Sequence, residues 1–222
     1  MRGEGIPVRI LALRTIANAS PALCKAYGFP DHVRSLGFIS TDCDDATYIA
    51  LDEATKAANV SVVYGKSLYA GASNASTALA GEVIGILGGQ NPSEVESGLT
   101  AVVDSLKTLH FRKANDKGDV VYLAHSIART GSFLSRLANL PMGQPLAYLI
   151  APPVEATVGL DAALKASDVE LKTLFAPPTE TNFAGGLLTG TQSACNAACD
   201  AFARTVEEIA ANPIVTGGSY GI

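Results

Sequence analysis

The residues of this chain that could do chemistry are concentrated in one acidic cluster, Asp42, Asp44 and Asp45. The cluster lies in a polar break between a short apolar run at 36–40 and a helical pattern at 49–58. Neighbouring carboxylates attract a small cation such as an amine. Acids are also favoured in the first turn of a helix, where the helix dipole stabilises negative charge. The sequence favours helix capping and leaves a cation site open as the alternative.

Catalytic machinery is not evident elsewhere in the sequence. The three histidines are scattered, and none accompanies a nucleophile motif, a P-loop, a GxGxxG pattern or an HExxH pattern. An enzyme built on this chain would have to use Asp44, Asp45, Glu82 and His125, and nothing places a nucleophile beside a base. We therefore predict no catalytic residues and a structural or interface role for His125.

Cys195 and Cys199 are four residues apart on a predicted helix, so they share one face of it. A zinc site would need two further ligands nearby, and the sequence offers none. The four cysteines of the chain also lack the spacing of a disulfide framework. We predict packed, reduced thiols, no metal and no cofactor.

The composition excludes several classes of protein. The 222 residues are 48% hydrophobic and 17% charged, which excludes a disordered chain. The net charge is −5 and there is no basic run, so nucleic acid is not an expected partner. No apolar run approaches the roughly 18 residues of a membrane span, and the first residues lack the apolar region of a signal peptide. We expect a cytoplasmic protein with no membrane partner and, because charges are few, with large buried interfaces.

An internal repeat determines the predicted architecture. The stretch 36–63 recurs at 146–174, and its Leu51-Asp52-x-Ala-x-Lys-Ala pattern returns at Leu160-Asp161. A spacing near half the chain length indicates two copies of one domain rather than a solenoid. The predicted domains are 1–110 and 111–222.

Each copy is predicted to run β-α-β-α-β-β-α, an α/β fold of the α+β sandwich type with helices packed against a sheet. Two helix starts are marked by a capping residue followed by proline, at Ser20-Pro21 and Asn91-Pro92. Residues 1–7 are expected to be loose, and 110–118 are expected to form a polar linker between the copies.

Two loops of small and polar residues occupy equivalent positions in the copies, Ser67–Thr77 and Ala176–Asn182. Loops of this kind usually only connect strands. Because they are duplicated, they could instead meet around a symmetry axis and line an opening.

The motifs of the chain resemble those of the bacterial microcompartment shell domain. LGFIS (36–40), ATYIALDEATKAA (46–58) and AGEVIGILGG (80–89) carry the resemblance. Each copy is preceded by a strand and helix that the standard order places at the other end, which is similar to the circularly permuted tandem shell proteins of ethanolamine utilisation. The segments DCDDATYIALDEATK, AHSIARTGSFLS and PPTETNFAGGLLTGTQSAC extend the similarity to nearly the whole chain. The resemblance implies two permuted domains, each with a mixed or antiparallel sheet flanked by helices.

The resemblance also implies a function. It implies a homotrimer that acts as a pseudohexamer and tiles the facets of an ethanolamine-utilisation microcompartment beside other shell proteins. It implies a gated central pore for substrate or cofactor transport, and small pores that bind ethanolamine. The implied ethanolamine contacts are Asp44, Asp45, Glu82, Thr181 and Phe183. The implied pore and gating residues are Ser67, Tyr69, Ala70, Gly71, Phe111, Pro177, Thr179 and Glu180. The alternative hypothesis is a soluble module that senses a small amine and does not tile.

Overall fold

Two copies of one order of strands and helices make up the chain, as the repeat predicts. The computed structural model describes residues 1–68, 82–177, 179, 181 and 183–214. The first copy consists, after β1 (Gly5–Pro7), of β2 (Ile10–Ile16), α1 (Pro21–Tyr27), β3 (Ser35–Thr41), α2 (Asp44–Ala57), β4 (Ser61–Leu68), β5 (Glu82–Gly89) and α3 (Pro92–Leu106). The second consists, after β6 (His110–Lys113), of β7 (Val121–Ile127), α4 (Ser132–Leu137), β8 (Leu146–Ala151), α5 (Pro153–Ala166), β9 (Val169–Phe175), β10 (Ala184–Gly190) and α6 (Gln192–Ala211).

The strands form two sheets with equivalent strand orders. The first copy pairs antiparallel as β2-β3-β5-β4. The second pairs antiparallel as β7-β8-β10-β9, and β6 and β1 extend this sheet beyond β7. Helices α2 and α3 pack on the first sheet, and α5 and α6 pack on the second. This arrangement confirms the predicted sandwich of helices on sheets.

The apolar core is continuous across the boundary between the copies. A single cluster joins Ile39 and Leu87 of the first copy to Leu123 and Ile150 of the second. Helix α4 of the second copy also packs on α2 and β4 of the first. The two copies are therefore held together by a shared core. Within the described parts of the chain, no helix combines the length and apolar composition needed to cross a bilayer.

Two segments that were expected to lack structure are strands. Residues 1–7 contain β1, and the predicted linker 110–118 begins with β6, which pairs with both β1 and β7. Phe111 is buried while the neighbouring Arg112 is exposed, so β6 has the inside–outside alternation of a strand. The prediction for residues 1–7 was wrong because the partner of β1 is about a hundred residues away in sequence, and the prediction for 110–118 was wrong because the polar segment HFRK pairs with strands on both sides. The domain boundary at 110/111 stays a prediction, although β1 lies in the second sheet.

Helix α2 begins earlier than its hydrophobic pattern predicts. It starts at Asp44 rather than Ile49, so Asp44 and Asp45 occupy its first turn. In α3, by contrast, the predicted cap is confirmed, because Asn91 Oδ1 accepts a hydrogen bond from Glu94 N at 3.0 Å. The early start of α2 determines where the acidic cluster points.

Candidate functional site

A cavity of about 270 Å³ lies at the seam between the two copies. The first copy lines it with Asp44, Asp45, Tyr48, Gly65, Lys66 and Ser67. The second copy lines it with Phe133, Leu137, Tyr148, Ile150, Phe175, Thr179, Thr181, Phe183 and Ala184. Two carboxyl groups therefore face a wall of aromatic rings and threonine hydroxyls.

The N-terminus of α2 positions the two acids. Strand β3 ends at Thr41, whose Oγ1 accepts a hydrogen bond from Cys43 N at 3.1 Å and so fixes the turn into the helix. Asp44 Oδ1 accepts from Asp45 N at 2.9 Å, and the helix dipole favours negative charge in this first turn. The two interpretations of the sequence are compatible, because acids in the first turn also reach the cavity.

Hydroxyl groups from both copies hold the carboxylates. Ser67 Oγ donates to Asp44 Oδ2 at 2.6 Å, and Tyr48 OH lies 2.7 Å from the same Ser67 Oγ. Tyr148 OH, on β8 of the second copy, donates to Asp45 Oδ1 at 2.8 Å. The acid pair is thus oriented by neutral donors.

The electrostatics of the pair are dominated by burial. Burial raises the pKa of Asp44 to about 6, although hydrogen bonds from Ser67 and the backbone oppose the shift. Burial, followed by the nearby charge of Asp44, raises the pKa of Asp45 well above its usual range. No described lysine or arginine forms an ion pair with either acid. A bound cation would favour the ionised form of the pair and supply the missing positive charge.

The third member of the acidic cluster has a different role. Asp42 does not line the cavity, and its Oδ1 accepts from Arg9 N at 2.8 Å. Its Oδ2 lies 3.7 Å from Arg9 Nε. Asp42 therefore ties β3 to the residue that precedes β2 and is structural.

The structure brings together four of the five residues that the resemblance implies as ethanolamine contacts. Asp44, Asp45, Thr181 and Phe183 all line the cavity. Glu82 does not line it, but it begins β5 opposite Leu68 and is buried. Its Oε1 has no hydrogen-bond partner among the described residues. A buried carboxylate oxygen without a donor is costly, so Glu82 is suited to receive one.

The residues implied for the pore and its gate are placed in several environments. Ser67 belongs to β4 rather than to a loop, and it lines the cavity with Thr179. Phe111 is fully buried on β6, with its ring centroid 5.8 Å from that of Phe183. Pro177 is exposed. Tyr69, Ala70, Gly71 and Glu180 lie outside the described residues, and the gating role of the whole set stays a prediction.

Sequence reasoning missed the aromatic part of the cavity. Tyr48 could have been found, because it lies four residues after Asp44 and so shares a helix face with it. Tyr148 sits in an apolar strand, where a buried phenol normally requires a polar partner. Phe133 and Phe175 carry no local signal, because only the folded seam brings them to the acids.

The cysteines and the other titratable groups do not form a second site in the part of the chain described. Cys195 and Cys199 are buried, and burial raises the pKa of the Cys199 thiol to about 12. The described residues contain no group of three or more histidine, cysteine or acidic residues that could hold a metal ion. Burial lowers the pKa of His125, which is consistent with a neutral structural histidine.

Comparison with known proteins gives a consistent result. The BMC domain model matches residues 35–114. The bacterial microcompartment shell protein EutL of Clostridium perfringens is 56% identical over 215 residues, which are 96% of this chain and 99% of that protein. EutL of Escherichia coli is 53% identical, with 92% of this chain and 94% of that protein covered. The crystal structure of the ethanolamine utilization protein EutL from Leptotrichia buccalis superposes with a TM-score of 0.92 at 55% identity, covering 97% of this chain and all of that one.

Proposed function

Because the chain belongs to the EutL family of bacterial microcompartment shell proteins, we propose that it forms a homotrimer that tiles a shell facet beside other shell proteins. Membership of the family makes the chain a structural shell protein of ethanolamine utilisation and not an enzyme, located in the microcompartment shell inside the cytoplasm. The repeat supports the trimer, since three chains would supply the six equivalent domains of a pseudohexamer.

The seam cavity is proposed to bind ethanolamine. The observation that carries this proposal is a buried pair of carboxyl groups, Asp44 and Asp45, that faces a cavity without an ion-pair partner among the described residues. The ammonium of ethanolamine would take that place, and charge-assisted hydrogen bonds to carboxylates are stronger than neutral ones. The ring of Phe183 adds an aromatic surface that attracts a cation.

The other end of ethanolamine also has a suitable partner. Thr179 and Thr181 of the second copy also line the cavity, and their Oγ1 atoms lie 3.3 Å apart. A threonine hydroxyl both donates and accepts, so it can bind the alcohol of the ligand. The cavity thus offers an anionic side for the amine and a hydroxyl side for the alcohol.

The cavity is proposed to be the small pore of each subunit, and its occupancy is proposed to keep the central pore closed. Ser67 on β4 and Glu82 on β5 precede and follow the segment 69–81, which contains most of the first implied gating loop. Thr179 and Thr181 belong to the second implied loop. A ligand held between these residues would restrain both loops at their ends. The proposed gating of substrate or cofactor passage depends on this restraint of the two loops by the bound ligand.

Titration calorimetry with ethanolamine tests the ligand. We expect Asp45→Asn to weaken binding by at least tenfold, about 1.4 kcal/mol, because the variant lacks the charge that pairs with the ammonium. The matched control is Asp104→Asn, since Asp104 is an exposed acid paired with Lys107. Ethylene glycol, which lacks the ammonium, should not bind. Equal affinities for wild type and Asp45→Asn would refute the site.

A further inference from the structure

The seam cavity holds two carboxyl groups close together and away from water. Asp44 and Asp45 are 4% and 8% exposed, and they follow one another in the first turn of α2. Two like charges at such a short distance disfavour ionisation of both groups, and buried pairs of carboxyl groups titrate as a unit for this reason. Without a cation, the pair therefore takes up protons at a pH at which exposed carboxyl groups are fully ionised.

The groups that donate hydrogen bonds to the pair are neutral. Ser67 Oγ donates to Asp44 Oδ2 at 2.6 Å, and Tyr148 OH donates to Asp45 Oδ1 at 2.8 Å. Burial is the largest cause of the raised pKa of both acids, and a side-chain hydrogen bond between them raises the pKa of Asp45 further. Neutral donors stabilise a carboxylate but do not cancel its charge, so the pair still needs a proton or a cation.

The other charged and titratable groups near the pair leave its charge uncompensated. The Cys43 thiol stays neutral, because burial raises its pKa well above the usual range. Lys66 lines the cavity but is exposed, and within the described chain it forms no ion pair with either acid. Arg136 lies over the ring of Phe133, 5.9 Å from its centre. The groups on the elements around the pair are Asp42 and Cys43 before α2, Tyr48 on α2, Lys66 on β4, Glu82 on β5, Arg136 on α4 and Tyr148 on β8.

Ethanolamine and protons therefore compete for the same negative charge. A primary amine stays protonated between pH 5 and pH 8, as lysine side chains do. An ammonium beside a neutral pair would be buried without a counter-charge, which is strongly unfavourable. When the pair releases a proton, the O–H bond of one carboxyl group breaks and the ammonium pairs with the carboxylate that remains. The net charge inside the cavity is then unchanged.

We propose that ethanolamine enters the seam cavity in exchange for a proton of the Asp44–Asp45 pair, so that acidification releases the amine. This inference rests on the proposed function and adds a means of regulation to the same site. The exchange makes the occupancy of the cavity depend on pH. Through occupancy, the proposed closure of the central pore depends on pH as well.

Titration calorimetry of the full chain with ethanolamine between pH 5 and pH 8 gives the first test. We expect the dissociation constant to be at least about tenfold larger at pH 5 than at pH 7, because burial raises the pKa of Asp44 to about 6 and that of Asp45 is raised as well. Circular dichroism at pH 5 checks that the chain is folded.

A pH-stat gives the second test, because it counts the protons that binding releases. Ethanolamine hydrochloride adjusted to pH 6 is added to the protein at the same pH. We expect at least about half a proton per bound ligand, since the Asp44 carboxyl group is half protonated at this pH before the ligand binds.

Two conservative variants test whether the acid pair sets the pH dependence. Tyr148→Phe and Ser67→Ala each remove a hydrogen bond that favours one ionised carboxyl group. Each variant should raise the pH of half-maximal affinity by about 1. The matched control is Leu137→Ala, which changes the wall of the cavity but removes no charge and no hydrogen bond to the acids. Its pH of half-maximal affinity should equal that of wild type, whatever its affinity.

The outcomes distinguish this inference from the proposed ligand. Affinity that falls in acid together with proton release supports the exchange. Equal affinities at pH 5 and pH 7 without proton release would overturn the exchange and leave ethanolamine as the ligand. No binding at any pH would overturn the proposed ligand and the exchange with it. If the two hydroxyl variants keep the wild-type pH of half-maximal affinity, or Leu137→Ala moves it as much as they do, the acid pair does not control binding and the exchange is wrong.

Discussion

Helices α2 and α5 share a sequence pattern and differ in what surrounds it. Leu51 and Leu160, at the same repeat position, are both buried against their own sheets. The aspartates that follow them diverge: the Asp52 side chain is 1% exposed, whereas that of Asp161 is 62% exposed and pairs with Lys165. The core side of each helix is set by its own copy. The burial of the opposite side depends on a neighbouring domain, and within the single chain only α2 has such a neighbour.

The same comparison applies to the first turn of each helix. Helix α2 begins with Asp44 and Asp45, which are buried beside the seam cavity. Helix α5 begins with Pro153 and the exposed Val154 where α2 has Asp44 and Asp45, respectively. The acidic turn has thus diverged between the copies, as the sequence indicates. Duplication preserved the packing of the helix and left its first turn free to diverge.

The largest expected effect is at Asp52. Asp52→Ala should lower the free energy of unfolding by about 3 kcal/mol, because three backbone amides lose a buried acceptor. Asp161→Ala, at the equivalent position, should change the stability of the monomer by less than about 0.5 kcal/mol, since it removes only an exposed ion pair. Urea unfolding measures both values.

This pair of variants must be measured without assembly. Both are measured at a protein concentration at which light scattering gives the mass of one chain, so that no contact between chains can stabilise Asp161. If both substitutions cost the same under these conditions, burial at the seam does not distinguish α2 from α5, and the comparison fails.

A smaller effect is expected at Gly131. Gly131→Ala should cost about 2 kcal/mol, because the added Cβ has no room beside Thr55 and the backbone of α2. Ser20, at the equivalent position of the first copy, already carries a Cβ, so Ser20→Ala should change the stability of the monomer little. Thermal unfolding of the two variants checks this difference. A Gly131→Ala variant as stable as its parent would mean that the seam can open to accept the methyl group.

Local patterns predicted most of the fold and only part of the site. Helix α4 and strand β9 occur at their predicted residues, because hydrophobic periodicity and turn residues define them locally. Strand β6 was missed, since the four residues HFRK are mostly polar and form a strand through pairing with β1 and β7. In the site, adjacent acids were visible in the sequence. Tyr148 was not, because its partner Asp45 lies 103 positions away and in the other copy.

The last prediction concerns the pH dependence of stability. It tests whether the first turns of α2 and α5 differ in charge. Burial raises the pKa of Asp44 from 3.8 to about 6, so between those values the folded state binds more protons than the unfolded state. Stability therefore falls as pH rises from about 4 to 6, and the cost of the buried charge persists above that range. Asp44→Asn removes this cost but keeps only one acceptor for the amide of Asp45 and the hydroxyl of Ser67. The loss of that acceptor costs the same at every pH, so we expect the stability of the variant relative to wild type to rise by about 2 kcal/mol between pH 4 and pH 7.5.

The control for this pH dependence is Glu155→Gln, which removes the half-buried acid in the first turn of α5. Urea unfolding of wild type and both variants at the two pH values gives the six free energies needed. If Asp44→Asn differs from wild type by the same amount at both pH values, the Asp44 carboxyl does not titrate in this range. The two first turns would then differ in shape but not in charge. If only Asp44→Asn becomes more stable relative to wild type as the pH rises, the ionised Asp44 carboxylate destabilises the folded chain at neutral pH. A cationic ligand would relieve this cost.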